Sequence, residues 1–247
     1  MRWTESEIEI LKKYYDYEGG NLSTFIRKSS NALRIKAYRL GLRKLEYRKK
    51  IILSPTENQI ILGGLLGDLC CRMRIFTKNA FLQGGHCKEQ KEYLLWKLNS
   101  LKSLSFKTRI NKRKAILFDS KSYPCLNIYY NLFYKNNKKI VNLSILNKLY
   151  NLGLAVWYMD DGCYKKKDKS CNIHTNGFTY SENLLIKNWF EKKWCIKPKI
   201  YSIKKPKDYP GKVWYFLNFN VKETIKLINL IKNHIHPSMN YKIGVLN

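Results

Sequence analysis

Leu62-Gly63-Gly64-Leu65-Leu66-Gly67-Asp68 and Leu154-Ala155-Val156-Trp157-Tyr158-Met159-Asp160-Asp161-Gly162 are two apolar segments that end in aspartate. Each reads as a buried helix with a carboxylate at its C-terminal end. The helix dipole disfavours that placement unless a cation lies beside it. The free carbonyls of the last turn are oxygen acceptors too, and hard divalent cations take oxygen ligands. Two such ends brought together make a paired acidic metal site. Ser54-Pro55-Thr56-Glu57 starts the first helix with a capping serine, proline at its first position and glutamate at its third. The helix is expected to run from there through Asn58 to Asp68. Its Gly63, Gly64 and Gly67 each cost roughly 1 kcal/mol against alanine. A second backbone approaching closely would offset that cost.

Similar elements follow each motif. After the first, Phe76 to Gly84 reads as strands, Glu89 to Leu104 as helix, Phe106–Arg113 and Lys114–Phe118 as strands, and Pro124 to Tyr130 as a short strand. After the second, Cys171–Thr175 reads as strand, Ser181–Trp194 as helix and Lys199–Ile203 as strand. Val213–Phe219 alternates as a half-buried strand does, and Val221–His234 closes as helix. The shared order is a weak internal duplication. It predicts a pseudo-twofold axis between the motif helices, with the first half at residues 54–142 and the second at 143–247.

Lys+Arg 47 against Asp+Glu 18 gives a net charge of +29 in 247 residues. So large an excess implies a polyanionic partner. Nucleic acid is favoured over a membrane because the basic residues interleave with Tyr, Asn and Trp, and no window approaches the ~18 uninterrupted apolar residues of a span. The polar N-terminus lacks a signal-peptide pattern. The seven cysteines include no CxxC pair, so reduced thiols and an intracellular protein are expected. Cys163, Cys171 and His174 are spaced too irregularly to read as a zinc set. The Lys/Asn/Ile/Tyr-rich composition points to an AT-rich genome, organellar, bacterial or phage.

Residues 1–45 read as a three-helix module, and 46–53 as a basic linker. Thr4 and Glu7 form a capping-box start, Gly19-Gly20 stops the first helix, a second begins near Leu22, and a third spans Asn31 to Leu42. That third helix carries Arg34, Lys36 and Arg39, with Arg43 just beyond. A basic last helix is the layout of helix-turn-helix recognition; the alternative is a helical cap with a solvated face. Trp3-Thr4-Glu5 and Ala37-Tyr38-Arg39-Leu40-Gly41-Leu42 resemble the opening and ending of Myb/SANT-like or helix-turn-helix domains.

Ile61–Leu69 and Leu154–Gly162 resemble the two motifs of single-chain LAGLIDADG homing endonucleases, and Tyr158-Met159-Asp160-Asp161-Gly162 is similar to the mitochondrial intron branch. Asn136-Asn137-Lys138-Lys139, His174-Thr175-Asn176-Gly177-Phe178-Thr179 and Pro237-Ser238-Met239-Asn240-Tyr241-Lys242 agree, so the resemblance covers roughly residues 54–245. It implies an α+β, pseudo-twofold αββαββα fold with curved antiparallel sheets lying along DNA. It implies metal-binding aspartates at Asp68 and Asp161, with Asp160 the rival to Asp161. Asp160 aligns with the small helix-contact position of Gly67. It assigns basic residues near the metals to Lys139, or Lys138 in the other register, and Lys242. Gly63, Gly67 and Ala155 are expected at the helix interface. Leu69 departs from the family's small residue, so the turn after Asp68 is expected to differ.

The implied activity is Mg²⁺- or Mn²⁺-dependent hydrolysis of one phosphodiester in each strand of a double-stranded DNA site, leaving 3′ overhangs. The enzyme would act as a monomer. Arg109, Asn111, Lys112, Arg113, Lys199, Tyr201, Lys204 and Lys205 are candidates for base or phosphate contacts. Two alternatives remain: an intron maturase that binds intron RNA on the same fold, and a DNA-binding regulator built on the N-terminal module.

Overall fold

The computed structural model describes residues 3–42, 51–73, 78–204 and 213–244. Thr4 and Glu7 cap each other reciprocally and start α1 (Glu5–Glu18), which ends at Gly19 with a positive φ of 56°. A 3-10 turn leads into α2 (Ser23–Ile26), and the Ser29 hydroxyl caps α3 (Ser30–Arg39). Leu11, Tyr15, Leu22, Ile26, Leu33 and Ala37 form a core of their own within these helices.

The larger part repeats one unit. Its first copy is α4 (Pro55–Leu66), β1 (Cys70–Met73), β2 (Ala80–His86), α5 (Lys91–Ser100), β3 (Phe106–Ile110), β4 (Ile116–Ser120) and α6 (Asn127–Phe133). A small hairpin, β5 (Tyr134–Lys135) and β6 (Lys138–Lys139), and the single-turn α7 (Leu143–Leu146) connect the copies. The second copy is α8 (Asn151–Asp161), β7 (Gly162–Lys165), β8 (Ser170–His174), α9 (Tyr180–Trp194), β9 (Lys199–Lys204), β10 (Val213–Phe219) and α10 (Val221–Ile231). The antiparallel sheets run β1-β2-β4-β3 and β7-β8-β10-β9, the same order in each copy. This is the αββαββα duplication about a pseudo-twofold, with a single hydrophobic core running through both copies.

The axis passes between α4 and α8, and the glycines show why. A Cβ on Gly63 would lie 2.1 Å from the Gly153 carbonyl oxygen, and one on Gly67 would lie 2.5 Å from Asp160 Cβ. The helices therefore meet backbone to backbone. Gly64 answers to its own chain instead: a Cβ there would lie 2.4 Å from Leu69 Cδ1. The large residue after Asp68 thus folds back over α4 and is fully buried. On α8 the facing stripe is Gly153, Val156 and Asp160. Ala155 is buried, but lies about 100° around the helix from Val156.

The structure corrects three expectations. Pro124 to Tyr130 is no strand; Pro124 opens a 3-10 turn that continues as α6. Leu126, Tyr129 and Phe133 are buried at spacings of three and four, a helical period that the aromatic, β-favouring composition masks. Cys70–Met73, not expected as a strand, is β1 and pairs with β2. Finally, α4 ends at Leu66, so Asp68 sits in the turn beyond it.

Candidate active site

Both acids are delivered by the helix ends, and each has a lysine behind it. Asn136 (φ 50°) and Asn137 (φ 59°) make the tight turn between β5 and β6, as residues that tolerate left-handed backbone do. The hairpin sends Lys139 inward, where its Nζ donates to the carbonyls of Leu69 at 2.8 Å and Gly67 at 3.4 Å. Lys138 is exposed, so Lys139 is the residue that reaches the site. From the 3-10 helix Pro237–Ile243, buried Lys242 donates to the carbonyls of Met159 at 2.6 Å and Asp160 at 3.0 Å. Each ammonium thus holds the carbonyl of the residue just before an acid: Gly67 before Asp68, Asp160 before Asp161. Cations at the C-terminal ends of α4 and α8 also offset the dipole penalty on the acids.

The three carboxylates differ in access. The Asp68 side chain is 40% exposed, and Asp161 is half-buried beside Lys139 and His174 in a pocket of about 350 Å³. The Asp160 side chain is fully buried. It accepts from Lys97 Nζ at 2.6 Å, the Tyr93 hydroxyl at 2.8 Å and the Asp68 N–H at 3.3 Å. Sequence reasoning missed Lys97, Tyr93 and His86. Lys97 carried the one available signal: it shares an apolar helical stripe with Tyr93, Leu94 and Leu101, where an unpaired charge would be costly.

Burial, then repulsion from Asp68 and Asp160, pushes the Asp161 carboxyl up to about 8. Desolvation and then Asp160 raise Asp68 as well, while burial lowers both Lys139 and Lys242. The acids therefore repel each other despite the lysines, and the open oxygen donors of Asp68 and Asp161 suit a hard divalent cation. Among the described residues, donors of Asp68, His86 and Asp160 also converge within 4.8 Å. There, however, the Lys97 ammonium already neutralises Asp160.

Residues 58–236 match the LAGLIDADG DNA endonuclease family. The chain belongs to that family. Over 144 residues it is 30% identical to the "Probable intron-encoded DNA endonuclease 3" of Mycosarcoma maydis, covering 58% of this chain and 94% of that protein. Over 202 residues it is 30% identical to the "Cytochrome b mRNA maturase bI2" of Debaryomyces hansenii, covering 75% of this chain and 72% of that one. The solved structure of the homing endonuclease I-WcaI bound to its DNA recognition sequence superposes with a TM-score of 0.68 at 22% identity. That likeness covers 86% of this chain and 92% of the other.

The LAGLIDADG sheets and the β3–β4 turn carry part of the basic array anticipated from sequence. Arg109, Lys112, Arg113, Lys199 and Tyr201 are exposed, and Asn111 turns inward to accept from the Arg113 and Ala115 N–H groups. Arg109 already pairs with Asp119. Lys204 ends β9, while Lys205 and Arg43 lie outside the described residues. His174, Phe216 and Tyr201 form an aromatic ladder across β8, β10 and β9 that sequence reading did not foresee. On α3, Arg34 and Arg39 are exposed and Lys36 lies over the Trp3 ring at 5.8 Å. No described helix is long and apolar enough to cross a membrane.

Proposed function

We propose that this LAGLIDADG protein is a site-specific endonuclease that hydrolyses one phosphodiester in each strand of a double-stranded DNA target and leaves 3′ overhangs. The observation that carries the reading is the pair of accessible acids, Asp68 and Asp161, each set one residue beyond a carbonyl held by a lysine. Asp68 and Asp161 would hold Mg²⁺ or Mn²⁺, which supplies an activated water and neutralises charge on the phosphate. Lys139 and Lys242 fix the helix ends on which the acids stand. They also place ammonium groups where negative charge develops in the transition state. Lys112 and Arg113 in the β3–β4 turn and Lys199 on β9, with the basic face of α3, contact the DNA backbone and bases. Residues 1–45 act as a recognition module, 46–53 as a linker, and 54–142 and 143–247 as half-sites in an intracellular monomer.

A second reading follows from the maturase relative: the same fold binds intron RNA and assists splicing. One experiment separates the two. Wild type, Asp68→Asn and Asp161→Asn are incubated with Mg²⁺ and a duplex library carrying candidate insertion sites. The nuclease reading predicts cut duplexes from the wild type and none from either variant. Intact duplexes together with tight intron-RNA binding would replace it with the maturase reading.

A further inference from the structure

The two halves are not equal where their acids stand. Counting two residues past each acid gives Cys70 and Cys163, whose strand partners are Gln83 and Asn172. Three residues further along, His86 in the first half therefore corresponds to Thr175 in the second. At the same offset, eleven residues later, buried Lys97 corresponds to buried Ile186. Across the helix pair, Asp160 corresponds to Gly67. Asp160, Lys97 and His86 thus form a buried polar cluster beside Asp68, and the Asp161 side has Gly67, Ile186 and Thr175 instead. The Thr175 hydroxyl is engaged with Asn183 and the Tyr215 carbonyl.

The hydrogen bonds around His86 fix its protons. Lys97 has only protons to give, so at 3.3 Å His86 Nε2 accepts from it. The ring hydrogen therefore sits on Nδ1, 3.0 Å from Gln90 Oε1 and 3.7 Å from Asp68 Oδ2. Gln90 Nε2 in turn donates to the Tyr241 hydroxyl, next to Lys242. An N–H anchored in this way stands against Asp68; at Asp161, His174 lines the same pocket, but among the described residues it makes no hydrogen bond or ion pair with that acid.

We infer that His86 is a positioning residue for Asp68 alone, so that cleavage of one DNA strand depends on it and cleavage of the other does not. The inference rests on the endonuclease reading above. Groups that orient a ligating carboxylate typically change activity about 10- to 100-fold when lost. Here the loss falls on one half-site.

The test follows each strand of an end-labelled cognate duplex separately in single-turnover cleavage with Mg²⁺. His86→Gln can keep an acceptor for Lys97 but loses the Nδ1–H. It should slow one strand by about 10- to 100-fold, leave the other strand's rate close to wild type, and accumulate nicked product. His86→Asn, whose amide nitrogen can stand in for Nδ1, should restore the slowed strand. Gln90→Met, on a half-exposed side chain, covers the case in which the His86 variants fail to fold, and should slow the same strand by a smaller factor. Equal slowing of both strands, no slowing of either, or no recovery in His86→Asn would overturn the inference. A wild type that cuts no duplex would remove the nuclease reading and this inference with it. One that cuts with strand-independent His86 effects would remove the inference alone.

Discussion

Lys97 Nζ and Asp160 Oδ1 lie 2.6 Å apart with both side chains fully excluded from water. A pair so placed contributes little net stability, because the desolvation of two charges offsets their attraction. Breaking it is another matter. Lys97→Met strands a buried carboxylate and should cost about 3–5 kcal/mol in denaturant unfolding. Adding Asp160→Ala removes the orphan charge and should restore most of that loss. A double variant no more stable than Lys97→Met would show that the pair is not the source of the effect.

Gly63 and Gly177 offer a matched comparison. A methyl at Gly63 meets the Gly153 carbonyl, a backbone atom that cannot move without parting α4 from α8, whereas nothing lies within 4 Å of a methyl at Gly177. Gly63→Ala should destabilise by about 1–3 kcal/mol, the usual range for overpacking. Gly177→Ala should stay within about 0.5 kcal/mol of wild type. Equal effects at the two positions would contradict backbone contact at the helix pair.

The acids predict a pH signature. The Asp161 carboxyl titrates near 8 in the folded protein and near 4 in the unfolded chain. Between those values the folded state binds the extra proton, so stability without divalent cation should fall as pH rises from about 4 to about 8. Asp68, raised in the same direction, adds to the slope. A cation held by the ionised acids should flatten it, and binding should tighten as pH rises through about 8. Thermal unfolding across this range, with and without Mg²⁺, reads both effects. A cation-independent slope would argue against a metal on Asp161.

Much of this was legible in the chain, for identifiable reasons. Ser54 and Glu57 cap locally, so the start of α4 follows from four residues. The alternation of Val213 to Phe219 gives β10 its bounds. Gly63 signals close approach because nothing else offsets its cost in a helix, and Gly67, just beyond the end of α4, is small because Asp160 leaves no room for a Cβ. What escaped depends on residues distant in sequence. Gly64 is small because Leu69 folds back onto it, and Pro124 to Phe133 coils because its aromatic residues meet a core supplied by other elements. Lys97 looks like one more lysine among many until Asp160 arrives from 63 residues away. Asp160 was legible as the rival to Asp161 and as the helix-contact counterpart of Gly67, but its partners Lys97 and Tyr93 were not.

The contrast between these neighbouring acids offers the most direct measurement. Cleavage of the selected duplex with Mg²⁺ is compared for Asp160→Asn and Asp161→Asn, with folding of each checked by denaturant unfolding. Asp161→Asn should fold as well as wild type and lose at least about a hundredfold in cleavage rate, as removal of a metal-dependent charge-stabilising group does. Asp160→Asn should lose stability and retain cleavage. Full activity in Asp161→Asn, with activity lost in a folded Asp160→Asn, would contradict the assignment of Asp68 and Asp161 as the working pair.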